Sequence, residues 1–415
     1  MLYTALWSGE TNSFILLLRA GCPIDYRTWS LVAGFGETQR AETELVIGRI
    51  VQQLEDTPSR EHEISDLTGS PGYLVEEAML YRPLGLRVCN AKMLFDAGFR
   101  NVDQPTKSGT SLWFHATWLF EQNAERRVGK SSLIRWLIDK GARLDTLHPY
   151  YKTTPAQLLA ERIAIRIILQ ENIVPHDHIP HSLWPIGSIH QQPKFQSMYG
   201  EVFTSNGTDD CTCACASNGC SVIGSVLRTL AQNFHTAKVS LHRMLHAILN
   251  WLGIDIYSHP GMVQPIIRSI TFEELKLTHT CHDNGHLEDR RGRWAWSGHC
   301  IPKQPLFEQE VRDIQFIDQA DIRLLEELLI DFDAKIREYS GSMWAFIDGY
   351  WTDRMHQVDQ EKIKSRAYHA EKNRDLGVDF HVSCDSKSEP QASAVIKYGN
   401  WEWFEREIAD LMETV

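Results

Sequence analysis

Cys211-Thr212-Cys213-Ala214-Cys215-Ala216-Ser217-Asn218-Gly219-Cys220 places four thiols within ten residues. Thiolate sulfur is a soft, anionic donor, so the run reads as a candidate zinc site, with buried reduced thiols as the competing reading. Spacing sets a condition on the first. Alternate residues of a flat strand lie ~6.7 Å apart. Two sulfurs on one tetrahedral zinc lie only ~3.8 Å apart, given Zn–S near 2.3 Å. The segment must curl to chelate, and Gly219 predicts the turn before Cys220. A second group follows at His279-Thr280-Cys281-His282-Asp283-Asn284-Gly285-His286, then His299-Cys300. The candidate metal ligands are Cys211, Cys213, Cys215, Cys220 and Cys281, in a closed site for one structural zinc. Four thiolates would leave no coordination position for a substrate.

Other chemical signatures fail on inspection. Val128-Gly129-Lys130-Ser131 mimics the end of a phosphate-binding loop, but Ala124 stands where the first glycine belongs and no strand precedes it. His282 and His286 have the spacing of a zinc protease without its glutamate. Gly34-Phe35-Gly36 lacks the third glycine of a dinucleotide fingerprint, and no G-x-S-x-G elbow occurs. His176, His178 and His181 lie in a proline-rich stretch that reads as linker. His242 and His246 share a helix face that reads as solvated. Arg290-Arg291-Gly292-Arg293 beside Trp294 and Trp296 could grip RNA. Against 54 acids and 42 bases, a net charge of −12, it reads instead as a surface loop.

The elements that must position the thiols are helices. Leu16-Leu17-Leu18-Arg19-Ala20-Gly21-Cys22-Pro23-Ile24-Asp25 has counterparts at Met93–Asp103 and Trp136–Asp145. Each is an apolar helix end, a glycine, then a short extended piece closing on aspartate. The glycine predicts a left-handed helix stop. Gly98 and Gly141 lie 43 residues apart and Gly21 lies 77 before Gly98, the spacing class of a helical solenoid. Helix starts follow two of the units. Thr154 is the expected N-cap with Pro155 at the first helical position, and Thr110-Ser111-Leu112-Trp113 fills the same slot earlier.

These segments resemble ankyrin repeats, whose helix pairs start at Thr-Pro-Leu-His and end at Leu-Leu-x-x-Gly-Ala. The likeness covers Leu16–Asp25 and Ala91–Ala160. It departs at Trp113 for the histidine, at Ser111 for the proline, and in units longer than about 33 residues. The resemblance implies binding of another protein and supplies no partner identity. Single units cannot bury their apolar faces, so a stack with a concave surface is expected. Its candidate partner-binding residues are Lys107, His148, Tyr150 and Tyr151, on loops 103–108 and 146–152. The Cys-x-Cys-x-Cys-x4-Cys block, with the helix that follows, resembles the C-terminal region of many fungal ankyrin-repeat proteins of unassigned function.

Downstream, one helix is expected over 221–252. Leu241, Met244, Leu245, Ile248, Leu249 and Leu252 form its core stripe. Ile322, Leu325, Leu329, Phe332 and Ile336 follow an a/d pattern that Leu324 and Leu328 widen into a bundle face. Met343–Trp351 is rich in aromatics and reads as core. The fold class is therefore mainly α. Degenerate ankyrin-type repeats (1–165) lead through a linker (166–205) to a Cys/His-rich helical region (206–303). An acidic helical region (304–370) packs on that, followed by a flexible connector (371–399) and a terminal helix (400–415). No apolar run approaches ~18 residues, so no membrane partner is expected. The N-terminus lacks a basic leader, and the expected compartment is intracellular, cytoplasmic or nuclear. The expected function is a non-enzymatic protein-binding scaffold. The alternative is a metal-dependent enzyme with its site at the Cys-rich segment.

Overall fold

The computed structural model describes residues 2–56, 80–83, 85–105, 109–117, 124–149, 152–171, 173–174, 193–234, 239–281 and 308–375. The chain divides into two compact units, Met1–Asp56 with Leu74–Trp351, and Thr57–Tyr73 with Thr352–Val415. Among the described residues the structure is mainly helical, and extended pairing is limited to the single bridge Thr208–Ser221.

The first unit opens with helices α1 (Leu2–Trp7), α2 (Thr11–Arg19), α3 (Tyr26–Val32) and α4 (Arg40–Asp56), then α5 (Val88–Asp96), α6 (Ser111–Thr117), α7 (Ala124–Asp139) and α8 (Pro155–Gln170). Helices α2, α5 and α7 end alike. Gly21, Gly98 and Gly141 have φ of 84°, 111° and 94°, where a β-carbon is resisted. The next N–H reaches back over the last turn each time: Cys22 to Leu17 O at 3.1 Å, Phe99 to Leu94 O at 3.2 Å, Ala142 to Leu137 O at 2.9 Å.

Starts are equally regular. Asp25, Thr110 and Thr154 precede α3, α6 and α8, and each side chain accepts the N–H three residues on. The partners are Thr28 at 2.7 Å, Trp113 at 3.2 Å and Gln157 at 3.2 Å. At α8 the Gln157 side chain returns a bond to the Thr154 N–H at 2.8 Å, completing a capping box with Pro155 first in the helix. Asp103 joins successive units, accepting from Leu112 N–H at 3.2 Å and Arg143 N–H at 2.9 Å. Packing stays within one or two helices along the chain: α2 packs on α1 and α4, α4 on α3 and α5, α5 and α6 on α7.

Helix α8 is buried on nearly every side, its polar residues Gln157, Arg162 and Arg166 included. It packs against α6, α9 (Pro193–Phe203), α10 (Val222–Phe234) and α11 (Leu241–Leu252). The single helix expected over 221–252 is thus two. Ser240 is extended, with ψ of 150°, which interrupts the helical ladder before α11. The core stripe holds, with Met244, Leu245, Ile248, Leu249 and Leu252 buried. Gly253, with φ of 68°, ends α11 as the earlier glycines do.

Helices α12 (Val263–Glu274), α13 (Glu308–Ile317) and α14 (Gln319–Glu338) follow, then the short α15 (Met343–Phe346) and a π-turn at Ile347–Trp351. Helix α14 buries Leu325, Leu328, Leu329 and Phe332, the widened stripe of a bundle helix. Phe346 meets Phe332 edge-on at 6.3 Å, and Trp351 Nε1 donates to Thr271 Oγ1 at 2.9 Å, so the aromatic stretch is core. His242 is buried against Asp348 at 3.1 Å and His246 stacks on Trp344 at 4.4 Å. His246 stays exposed, as expected, whereas His242 is buried because the aromatic turn covers that side of α11. Of the second unit, the described part is helix α16 (Thr352–Asp375). No helix among the described residues is long and apolar enough to cross a membrane.

Candidate metal centre

The Cys-rich segment is a closed loop. Asp209 Oδ1 accepts the N–H of Cys211 at 3.1 Å and of Cys220 at 2.6 Å, and Asp209 N–H donates to Cys220 O at 3.2 Å. Gly219, with φ of 84°, makes the turn that the spacing required. A β-carbon there would fall 1.9 Å from the Asp209 carbonyl oxygen, so only glycine fits. Two helices hold this loop. Gln157 of α8 donates Nε2 to Cys220 O at 2.7 Å and to Asp209 Oδ2 at 3.2 Å. Arg268 of α12 donates Nε to Ala214 O at 3.0 Å. The stretch leaving α12 then lies across the loop, with Thr280 N–H donating to Cys213 Sγ at 3.3 Å.

All five thiols expected to assemble are brought together, and His279 joins them. Cys211 and Cys220 sulfurs are 3.0 Å apart, Cys215 and Cys220 3.3 Å, Cys215 and Cys281 3.9 Å. His279 Nδ1 lies 3.6 Å from Cys281 Sγ and 3.9 Å from Cys213 Sγ. Two four-residue sets, Cys211/Cys215/Cys220/Cys281 and Cys213/Cys215/His279/Cys281, each have their donor atoms within 4.8 Å of one another. Either could hold a metal ion, and sulfur with imidazole suits zinc far better than magnesium or calcium. Cys213, Cys215, Cys220 and His279 are buried.

Crowding drives the thiols apart in acidity. Hydrogen bonds from Cys215, Cys220 and Cys281 hold the Cys211 thiol far below its ordinary value, while the Cys215 thiol is pushed far above it by the same sharing. Five sulfurs in one buried volume cannot all ionise without a cation.

The surroundings match a metal node. His279 Nε2 donates to Glu273 Oε1 at 2.6 Å, leaving Nδ1 as the donor facing the sulfurs. Arg228 of α10 is buried, with one nitrogen 3.2 Å from Cys281 Sγ and the other bonded to Glu161 at 3.1 Å. Burial works against its charge, but Cys281 and then Glu161 outweigh that and hold its pKa well above the ordinary arginine value.

His279 stands in the second group but not among the five expected ligands; its His-x-Cys spacing repeats the alternate spacing of the first group and is the signal for it. Asp209 is legible as a turn aspartate bonding two residues ahead. Glu273 and Arg228 carry no local signal.

His148, expected at a loop tip, is turned inward. Its ring packs on Trp113 at 3.9 Å and over Gly109, where a β-carbon would meet it at 2.5 Å. Burying that ring between aromatic and backbone removes apolar area from water, and the residue is 3% exposed. Lys107, Tyr150 and Tyr151 lie outside the described residues, as do His176, His178, His181, His282, His286, His299, Cys300, Arg290–Trp296 and the expected terminal helix. The phosphate-loop lookalike lies within α7, where Lys130 is buried with Nζ 3.1 Å from His115 Nδ1. No family model matches the chain, and neither a curated protein nor a solved structure matches it.

Proposed function

We propose that this chain is a non-enzymatic scaffold that binds another protein through the concave face and loop tips of an ankyrin-type helical array. In this reading the Cys/His cluster is a structural zinc staple at the array's C-terminal side. The observation that carries it is the unit end made three times over: the same left-handed glycine and the same backward bond, with the same cap at the helix start. Units that turn alike stack alike, and a stack of helix pairs offers an extended surface for a partner. The cluster supports a structural role because each set already supplies four donors, which leaves an ion no open position for substrate. The net charge of −12 disfavours nucleic acid as the partner.

The test is affinity capture by the full chain from lysate of its own host, with a chain carrying Cys215→Ser, a donor common to both sets, in parallel and circular dichroism on both. One protein recovered in fixed proportion by the unaltered chain is expected, together with a lowered unfolding temperature for Cys215→Ser. Capture of nothing reproducible overturns the scaffold. A Cys215→Ser chain as stable as its parent overturns the staple.

A further inference from the structure

We propose that the cluster holds two metal ions rather than one, bridged by the sulfurs of Cys215 and Cys281. This deepens the metal reading above and rests on it. The two donor sets share Cys215 and Cys281 and nothing else. Two tetrahedra joined along an edge need six donors, two of them common to both, and the described residues supply that composition. The shared edge, Cys215 Sγ to Cys281 Sγ, measures 3.9 Å. That matches the ~3.8 Å between sulfurs on a tetrahedral zinc.

A single ion leaves half of the geometry without a purpose. Placed among Cys211, Cys215, Cys220 and Cys281, it abandons Cys213 Sγ and His279 Nδ1, which face each other at 3.9 Å. Placed in the other set, it abandons the Cys211 and Cys220 sulfurs 3.0 Å apart, although Asp209 fixes both of their backbones. His279 belongs only to the second set, yet its far nitrogen is anchored on Glu273 at 2.6 Å in the manner of a metal-bound imidazole. Charge agrees. Two zinc ions bring four positive charges to five thiolates, and the residual negative charge falls beside Arg228, whose guanidinium touches the shared Cys281 sulfur at 3.2 Å. One ion would leave three such charges in the same buried volume, or force thiols to stay protonated in contact with the metal.

The experiment is zinc loading of the full, anaerobically purified chain, desalting, and metal analysis against protein concentration. Close to two zinc per chain is expected, since each tetrahedral set fills with one ion. One zinc per chain overturns the proposal and leaves the single-ion staple standing. No retained zinc overturns both. Bridging is read from the cadmium-113 form of the unaltered chain. Two resonances split by mutual coupling are expected, and two uncoupled resonances or a single one overturn the shared-sulfur arrangement. Variants add direction without being indispensable: Cys213→Ser should drop the count from about two to about one, whereas Cys215→Ser should lower both occupancies together.

Discussion

In the proposed zinc site the His279 imidazole must be turned so that one nitrogen meets the ion, and Glu273 is placed to do the turning. Glu273→Gln keeps the shape of the side chain but weakens its pull on the His279 N–H. Zinc affinity should fall about 10–100-fold, as for other outer partners of metal-bound histidines. Competition with a chromogenic chelator measures it, and an unchanged affinity refutes the role. A second histidine is predicted to set an acid limit. His115 is wholly buried, takes a bond from Lys130 at 3.1 Å on Nδ1 and gives one to Tyr81 O at 2.7 Å from Nε2, so it is neutral. Burial first, then the charges of Lys130 and Arg82, hold its pKa well below the ordinary value. Below about 6.5 the unfolded chain therefore binds a proton that the folded chain refuses, and stability present above that pH drains away as pH falls. His115→Gln retains an acceptor and a donor but cannot titrate. It should flatten the loss of stability between pH 7 and pH 5 relative to the parent, read from urea midpoints; parallel curves would refute it. Single residues were legible where composition made them improbable, as for the thiols. Glu273 and Arg228 were not, because a charged residue on a helix reads as surface until the fold buries it.

Helix ends were the most legible elements, since their chemistry is local. A glycine after an apolar run and a threonine before a proline state their roles within six residues. Thr154→Ala removes an acceptor that is fully buried and opens the capping box of the most buried helix. The expected loss is about 1–2 kcal/mol, toward the upper end for caps. Denaturant unfolding checks it, with a midpoint within error of the parent counting against the cap. What failed at this scale was continuity. The break between α10 and α11 depends on Ser240 being extended. The π-turn at Ile347–Trp351 places Trp351 on Thr271. Neither has a periodic signature, because both are settled by what the helices pack against. The inward turn of His148 was hidden for the same reason, its place being set by Trp113 and Gly109 of the preceding unit.

Across the molecule, each of the first eight helices packs mainly on helices one or two places away in the chain, so the helical class could be read from local repeats and periodicity. The cluster breaks that order. Its donors come from a loop ending at Cys220 and a stretch reached only after three further helices, and no local pattern pairs them. The same separation has a consequence during synthesis. Cys281 is made 61 residues after Cys220. At about 5–20 residues per second the ribosome takes roughly 3–12 seconds over that interval. For those seconds four thiols stand outside the exit tunnel without their fifth sulfur or their imidazole, open to oxidants and to the wrong metal. The redox state and metal supply that the nascent chain meets would therefore bear on this protein before it has folded, and its yield in a foreign host should be decided then.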